Sequence, residues 1–469
     1  MKKVTAVCLV VLLMSMLFAG NALAFTNYTG STQFTGSVEG AGAVMLFDAD
    51  SGTILFQKNI DQKIEPASTT KIMTLVLALE NGNMDDIVTV SSKAAGQLGS
   101  TLIPKLKNGE EVVFEDLING MMMASGNDAA VAVAEHLGDT VDGFVTMMNA
   151  KASELGMTNT HFVTPHGLHD PDHVTTARDM AMLTQYALHN PQFVKIVNQK
   201  SYTMSKTNSN GERVVQNTNK LMQPDEPYYY QYATGVKTGS TKTQYSGDCL
   251  VSSASKDGMN LVCLIFKTEE GNPLRWTLSK DLFEWGFTNF KTVDLVTLME
   301  KAEPVQAVVE NAAASDSGVL EFNEPEAGTV FVTIDKTVAD AILNGTETIQ
   351  TEMVFDQNPL HAPITKDDVV GTVVYKSAGT DTTLYSGSLI ASRDIPVAGA
   401  DSNVSGATAV GTQRPMLPEE VTKKSNGSVW WWLLLPGALI ALLVVGLLTV
   451  NRRRHKRFKH RQPHYKIKR

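Results

Sequence analysis

The chain has 469 residues, of which 43% are hydrophobic and 19% are charged, and its formal net charge is −9. Two of the 40 lysines and arginines lie in the first 24 residues and ten lie in residues 452–469, whereas all 49 acids lie between these ends. The middle of the chain therefore carries a formal charge of −21, which argues against binding to nucleic acid or to an anionic lipid surface.

Both ends of the chain have the composition of membrane-targeting segments. Residues 1–24 contain two lysines, an apolar run and an Ala-Leu-Ala sequence, which predict a cleaved secretory signal peptide. Residues 429–450 form an uncharged, largely apolar run that is long enough to cross a bilayer. The basic tail at 451–469 directly follows this run, which indicates a stop-transfer sequence rather than a nucleic-acid-binding tail. We therefore expect one transmembrane helix, a cytoplasmic tail and an extracytoplasmic middle.

The strand and helix signals between these ends predict two domains. Residues 25–40 are rich in Gly, Thr and Ser and predict a flexible lead-in. Residues 41–290 contain a strand hairpin, a helical block, a second strand pair and a closing helix, which predict an α+β domain with one antiparallel sheet. Short strand candidates separated by Gly, Asn and Asp turns predict a small β-rich domain at 291–394. Residues 395–428 have the composition of a disordered stalk.

A candidate nucleophile precedes the first helix of the α+β domain. Ser68 and Lys71 are three residues apart, and apolar residues then recur at the spacing of one buried helix face. If the helix begins near Ser68, Lys71 lies one turn further on, where its amine can take the serine proton. Ser-x-x-Lys occurs again at Ser253–Lys256 in a predicted hairpin turn, and on its own the motif more often marks a helix cap.

Two later segments offer partners for this serine. Ser125 and Asn127 lie in a short turn between two helical runs, a position where Ser-Gly-Asn is also a common helix cap. A predicted strand then carries a cation, a hydroxyl and a glycine that permits close approach, which suits a carboxylate-bearing substrate lying alongside the strand. These residues are Lys237, Thr238, Gly239 and Ser240.

The cysteines and histidines predict neither a disulfide nor a metal site. Cys249 and Cys263 lie in two strands that are predicted to pair about an Asp257-Gly258 turn. This register places Cys249 opposite Phe266, so we expect two buried thiols. The histidines and aspartates at 161–173 form a cluster, but no His-Glu-x-x-His pattern is present, and we expect no metal and no cofactor.

Ser-x-x-Lys, Ser-x-Asn and Lys-Thr-Gly in this order form the signature of penicillin-recognising serine enzymes. Over residues 40–390 the chain most closely resembles the low-molecular-mass penicillin-binding proteins, which are serine-type D-alanyl-D-alanine carboxypeptidases. The segments around His166, Arg178 and Asn219 and the following β-rich domain also look like that family. The resemblance implies removal of the terminal D-alanine from peptidoglycan pentapeptides, limitation of wall cross-linking, and covalent inhibition by β-lactams.

The resemblance also implies a role for each motif residue. Ser68 would form the acyl-enzyme, and Lys71 would take its proton, which requires a neutral amine. Burial and the nearby Lys237 would lower the pKa of that amine. Ser125 would relay a proton to the leaving amine, and Asn127 would orient Lys71 and the substrate backbone.

The same resemblance implies that the Lys-Thr-Gly strand binds the substrate. Lys237, Thr238 and Ser240 would hold the terminal carboxylate, with Gly239 permitting the close approach. The backbone N–H groups of Ser68 and Ser240 would form the oxyanion hole.

Four other functions fit parts of this pattern. A β-lactamase would need a deacylation base such as the glutamate of a Glu-x-x-Leu-Asn loop, and none follows Ser125. A transpeptidase or an endopeptidase would use the same residues. A non-catalytic wall-binding protein is disfavoured because the triplet of motifs is intact.

Overall fold

The computed structural model describes residues 25–302 and 305–399. The predicted signal peptide at 1–24, the transmembrane segment at 429–450 and the tail at 451–469 lie outside the described residues, as does all but the first part of the predicted stalk at 395–428. Within the part of the chain that is described, no helix is long and apolar enough to cross a membrane.

The described residues form eighteen strands and ten α-helices. The strands, in chain order, are β1 Thr26–Asn27, β2 Ala43–Asp48, β3 Thr53–Lys58, β4 Ile87–Thr89, β5 Glu111–Val113, β6 Ser201–Met204, β7 Arg213–Gln216, β8 Ala233–Ser240, β9 Asp248–Lys256, β10 Met259–Thr268, β11 Phe290–Asp294, β12 Ala307–Glu310, β13 Val319–Leu320, β14 Phe331–Asp335, β15 Ile349–Phe355, β16 Leu360–His361, β17 Val369–Ser377 and β18 Thr383–Ile390. The helices are α1 Lys71–Asn81, α2 Ser92–Ala95, α3 Phe114–Met123, α4 Asn127–Gly138, α5 Val141–Glu154, α6 Ala177–Leu188, α7 Pro191–Val197, α8 Leu274–Asn289, α9 Leu295–Met299 and α10 Lys336–Leu343.

A six-stranded sheet organises the first domain, with strand order β1-β3-β2-β10-β9-β8. Strands β2 and β10 are buried along almost their whole length, as expected for central strands covered on both faces. The β9–β10 turn has positive φ at both Asp257 and Gly258, which matches the right-handed twist of a two-residue hairpin. β2 pairs with β3 and β9 pairs with β10, so the hairpins predicted at 43–56 and about the 257–258 turn are confirmed.

Helices pack against this sheet and enclose α1. The first eight residues of α1, from Lys71 to Ala78, are all buried, so this helix lies in the core instead of showing one face to solvent. Its apolar side chains join those of β2, α3, α4 and α6 in one large hydrophobic cluster. This burial fixes the position of the Ser68 turn, which directly precedes α1.

The lead-in at 25–40, which we expected to be flexible, packs against the rest of the protein. β1 pairs in parallel with β3, so the sheet is not purely antiparallel. The Tyr28 hydroxyl donates to Asp335 Oδ2 at 2.5 Å and the Thr32 hydroxyl donates to Asp335 Oδ1 at 2.5 Å. The sequence prediction missed these contacts because the partners are about three hundred residues apart.

The C-terminal domain has its own hydrophobic cluster, which runs from Val293 to Ile395. It contains the three-stranded sheets β15-β17-β18 and β13-β12-β16 and the pair β11-β14. The domain is mostly β, as predicted, but it also contains α9 and α10. Helix α10 buries Ala339 and Ile342, an i, i+3 pair that indicates one apolar helix face.

The two cysteines are free thiols, as predicted. Cys249 and Cys263 are both fully buried, and burial raises the pKa of each thiol to about 12. Cys263 pairs with Ser252 across the β9–β10 ladder, so the side chains of the two cysteines do not face each other.

Candidate active site

Ser68 lies in a 3₁₀ turn, Ala67–Thr70, that leads directly into α1. The α-helix itself begins at Lys71, directly after this turn. The Thr69 and Thr70 hydroxyls donate to the carbonyls of Pro66 and Ala67 at 2.6 and 2.8 Å, which rigidifies the turn. Ser68 itself remains partly exposed, so a substrate can reach its hydroxyl.

The Lys71 amine lies in contact with three oxygens. Its Nζ is 3.1 Å from Ser68 Oγ, 2.8 Å from Asn127 Oδ1 and 3.1 Å from the carbonyl oxygen of His166. The amide and carbonyl oxygens can only accept hydrogen bonds, whereas the serine hydroxyl can donate one. A neutral amine has two N–H donors and one lone pair, which matches this set of partners.

The electrostatic surroundings favour that neutral amine. Complete burial is the main cause of a pKa for Lys71 well below the ordinary lysine value, and the nearby charge of Lys237 lowers it further. Asp128 acts in the opposite direction. Lys71 is therefore suited to accept a proton from Ser68 at neutral pH.

Ser125 and Asn127 lie at the junction of α3 and α4, beside Lys71. Ser125 is buried and has a left-handed backbone with φ of 56°. Asn127 is the first residue of α4, and its Nδ2 donates to the carbonyl of Leu98 at 2.8 Å while its Oδ1 accepts from Lys71. Within the described residues the Ser125 hydroxyl has no hydrogen-bond partner, so it is available to a substrate.

Strand β8 ends beside the Ser68 turn. A Cβ added at Gly239 would lie 3.0 Å from Ala67 Cβ, 3.1 Å from Ser68 N and 3.2 Å from Pro66 O. A side chain at this position would therefore push against the nucleophile's own backbone. β8 is also an edge strand of the six-stranded sheet, so one side of its backbone is open to a substrate.

The polar side chains of β8 have different partners. Lys237 is buried and its amine donates to the carbonyl of Thr238 at 3.1 Å. The Thr238 hydroxyl is 2.6 Å from that of Thr218. The Ser240 hydroxyl donates to Asp248 at 2.6 Å, and its expected contact with a substrate carboxylate would require this bond to be exchanged.

Arg275 is a site residue that the sequence analysis missed. Its Nη1 donates to the carbonyl of Gly239 at 2.9 Å and lies 3.1 Å from Asp248, and its guanidinium is 4.6 Å from the Trp276 ring centroid. Burial, together with a smaller effect of the Arg275 charge, lowers the pKa of Lys237 to about 7. No motif identifies this arginine, because α8 brings it to the end of β8 only in the folded domain.

The histidine cluster has a structural role. His173 accepts from the backbone N–H of Val163 at 2.9 Å through Nδ1, and its Nε2 is 2.8 Å from the Thr70 hydroxyl. A Cβ on Gly167, which has φ of 81°, would lie 1.8 Å from the carbonyl oxygen of Ala67. The loop at 161–173 therefore buttresses the Ser68 turn. Among the described residues, no group of three or more His, Cys, Asp or Glu side chains is placed to hold a metal ion.

A serine in contact with a buried lysine, a Ser-x-Asn turn beside them and a Lys-Thr-Gly edge strand against the serine turn define the class of penicillin-recognising serine enzymes. The profile of the peptidase S11 family, described as D-alanyl-D-alanine carboxypeptidase, matches residues 31–270. The profile of the penicillin-binding protein 5 C-terminal domain matches residues 342–397. The chain therefore belongs to the peptidase S11 family.

Individual relatives cover both domains. D-alanyl-D-alanine carboxypeptidase DacA of Haemophilus influenzae is 32% identical over 371 residues, which are 76% of this chain and 86% of that protein. DacF of Bacillus subtilis is 31% identical over 346 residues, 72% of this chain and 82% of its own length. The crystal structure of penicillin binding protein 5 from Haemophilus influenzae matches with a TM-score of 0.64 at 30% identity, and covers 78% of this chain and 100% of its own.

Proposed function

We propose that this protein is a serine-type D-alanyl-D-alanine carboxypeptidase that removes the terminal D-alanine from peptidoglycan pentapeptides through an acyl-enzyme on Ser68. The observation that carries this proposal is the contact between Ser68 Oγ and a buried Lys71 whose pKa lies well below its ordinary value. Loss of the terminal D-alanine removes the donor peptides that cross-linking requires, so the enzyme would limit wall cross-linking.

Acylation begins with proton transfer from the Ser68 hydroxyl to the neutral Lys71 amine. Ser68 Oγ then attacks the carbonyl carbon of the penultimate D-alanine. The negative charge that develops on the carbonyl oxygen is stabilised by the backbone N–H groups of Ser68 and Ser240. The carbon–nitrogen bond breaks as the Ser125 hydroxyl gives its proton to the leaving amine and takes the proton held by Lys71. Free D-alanine departs, and the Lys71 amine is neutral again. Asn127 holds Lys71 in place during these steps.

The terminal carboxylate explains the need for cations at β8. Lys237 and Thr238 would bind it directly, and Arg275 would add positive charge beside them. A bound carboxylate favours the charged form of Lys237, whose pKa in the free enzyme is only about 7. Gly239 lets the substrate strand and the Ser68 turn approach β8 closely.

Deacylation requires a water molecule to attack the ester carbonyl of the acyl-enzyme. Lys71, which remains beside Ser68 Oγ, would take the water proton and return it to the serine. A β-lactam would acylate Ser68 by the same route. Because its leaving group stays tethered to the acyl chain, the inhibited enzyme would persist.

Covalent labelling tests this proposal. The native protein should take up a fluorescent penicillin and release D-alanine from a D-Ala-D-Ala peptide, whereas Ser68→Ala should do neither. Ser253→Ala is a matched control because Ser253 belongs to the second Ser-x-x-Lys sequence. In the described part of the chain, its hydroxyl is hydrogen-bonded to that of Thr234 alone, at 2.8 Å. Labelling that persists in Ser68→Ala would refute the assignment. Cleavage of cross-links without D-alanine release would change it to an endopeptidase.

We further propose that the catalytic domain lies outside the cell on a single membrane anchor. The proposal rests on the signal-like residues 1–24 and the apolar residues 429–450 followed by a basic tail. The full chain should then remain with membranes after alkaline carbonate extraction, whereas a variant that ends at residue 428 should be released in active form. Release of the full chain by carbonate would contradict the anchor.

A further inference from the structure

A groove lined by hydroxyl groups lies between the N-terminal segment, the β3 edge of the sheet and the C-terminal domain. It consists of a cavity of about 320 Å³ and an adjoining, more open cavity of about 660 Å³. Both are lined by Thr29, Asp335, Val338, Thr382 and Thr383, so the two form one continuous channel. We call this channel the hydroxyl groove. Each of its two volumes falls in the usual range for ligand pockets.

The described residues that line the hydroxyl groove offer hydroxyl groups and two aspartates but no cation. Ten of the eighteen residues that line the smaller cavity carry a hydroxyl, and no Lys or Arg is among the described residues lining either cavity. The Asp335 carboxylate already accepts hydrogen bonds from Tyr28 and Thr32 at 2.5 Å on its two oxygens. Asp381, in the more open cavity, lies 3.8 Å from Lys376. An anionic ligand such as a phospholipid headgroup would therefore find no cation here.

Several lining groups remain available to a ligand. In the described part of the chain, the hydroxyls of Thr29, Thr383 and Ser386 make no hydrogen bond to another residue, and all three residues are exposed. Tyr28 and Tyr385 add aromatic surface beside them. Unpaired hydroxyls next to aromatic and aliphatic faces suit the alternating polar and apolar faces of sugar rings.

The hydroxyl groove lies far from Ser68. It borders β1 and β3 at one edge of the six-stranded sheet, whereas the catalytic strand β8 forms the other edge. Five strand spacings separate β1 from β8, a distance of about 24 Å. A ligand in the groove therefore cannot be the short peptide that is bound at Ser68, but it can be another part of the same polymer.

We propose that the hydroxyl groove binds a neutral stretch of the peptidoglycan glycan strand while the stem peptide occupies the active site. This inference rests on the proposed function, which supplies a substrate with both a glycan and a peptide. The groove would raise the affinity for polymeric substrate through a second point of attachment and would leave the chemistry at Ser68 unchanged.

The test removes hydroxyls without changing side-chain shape. The Thr29→Val/Thr383→Val double variant of the full chain is compared with the native protein and with Thr372→Val. Thr372 is an exposed threonine of β17 that lines neither cavity. Peptide-free glycan strands whose lactyl carboxyl groups are amidated, so that the strands carry no charge, are titrated against each protein by calorimetry. D-Alanine release is measured on a soluble D-Ala-D-Ala peptide and on polymeric peptidoglycan.

We expect the double variant to bind glycan strands about tenfold more weakly than the native protein, because two hydrogen-bond partners are lost. Its KM on polymeric peptidoglycan should rise while its kcat/KM on the soluble peptide stays unchanged, which also shows that it is folded. Thr372→Val should behave like the native protein. Absence of glycan binding by the native protein, or equal binding by all three proteins, would overturn the proposal.

Two further outcomes separate this inference from the proposed function. The native protein could instead bind anionic phospholipid vesicles and not glycan strands, with the double variant losing the vesicle binding. That result would assign the groove to a membrane surface and refute the glycan proposal. Failure of the native protein to release D-alanine from the soluble peptide would refute the carboxypeptidase function, and the glycan titration would still decide the role of the groove.

Discussion

The close approach of β8 to the Ser68 turn makes Gly239→Ala a sharp test of whether this contact positions the nucleophile. An alanine Cβ would lie 3.0 Å from Ala67 Cβ and 3.1 Å from Ser68 N. Ordinary contacts between carbon atoms begin at about 3.5 Å, so one of the two segments must move by about half an ångström. Because α1 is buried in the core, we expect the movement to displace the Ser68 turn that precedes it, or the end of β8.

A displacement of this size should slow the reaction without unfolding the domain. A misplacement of about 1 Å can cost a hundredfold in rate, so half an ångström should cost about tenfold or more. The second-order rate constant for acylation by a fluorescent penicillin measures this loss directly. Thermal unfolding of the same variant should shift only slightly, because a movement of about half an ångström relieves the contact with Ala67 and Ser68.

Gly211→Ala is the matched control for this substitution. A Cβ at Gly211 meets no atom within 4 Å, and its backbone does not require a glycine. Its acylation rate should equal that of the native protein. Native-like acylation by Gly239→Ala would show that the turn adjusts freely, and would refute the argument that the contact positions the nucleophile.

Three further substitutions test charged groups. The pKa of Lys237, about 7 in the free enzyme, predicts that kcat/KM for D-alanine release falls above pH 7 as the cation is lost, and Lys237→Arg should abolish this alkaline limb. Burial raises the pKa of Asp48 from 3.8 to about 6. The folded state therefore favours the protonated carboxyl, and this stabilisation is complete below pH 4 and lost as pH rises through 6. Asp48→Asn should raise the free energy of unfolding at pH 7 by up to about 3 kcal/mol and leave it unchanged at pH 4, as measured by urea unfolding. Arg213 and Glu110 form a fully buried pair at 2.6 Å. Arg213→Met should lower the free energy of unfolding at pH 7 by about 3–5 kcal/mol, because it leaves a buried carboxylate unpaired, and unchanged stability would contradict this.

Much of the candidate site could be predicted because its parts are short motifs in recognisable local structure. Ser68 and Lys71 are joined by one turn, and Asn127 begins a helix whose preceding turn carries Ser125. The Lys-Thr-Gly motif and the strand that carries it can likewise be recognised from neighbouring residues alone. The contact between Lys71 and Asn127 follows once the three motifs are assigned to one family.

The remaining features depend on contacts between distant segments. Arg275 reaches the carbonyl of Gly239 from α8, and His173 supports Thr70 from a separate loop. The packing of Tyr28 onto Asp335 spans 307 residues, and a segment rich in Gly, Thr and Ser gives no local signal of such a contact. The sequence of helix α10 has the apolar spacing of a helix, but it is short and lies between strongly predicted strands, so the whole region was assigned to the β-rich domain.

The order of strands in the sheet also has a consequence for when the enzyme becomes active during synthesis. β2 pairs with β10, and β8 pairs with β9, so within the sheet the hairpin that precedes the Ser68 turn is connected to the Lys237 strand through two strands that are made later. Sequence-distant pairings of this kind form slowly, after the whole set of strands is available. A nascent chain that has not yet reached residues 248–268 lacks the two strands that connect β8 to the rest of the sheet. We therefore expect it neither to cleave a stem peptide nor to react efficiently with a β-lactam.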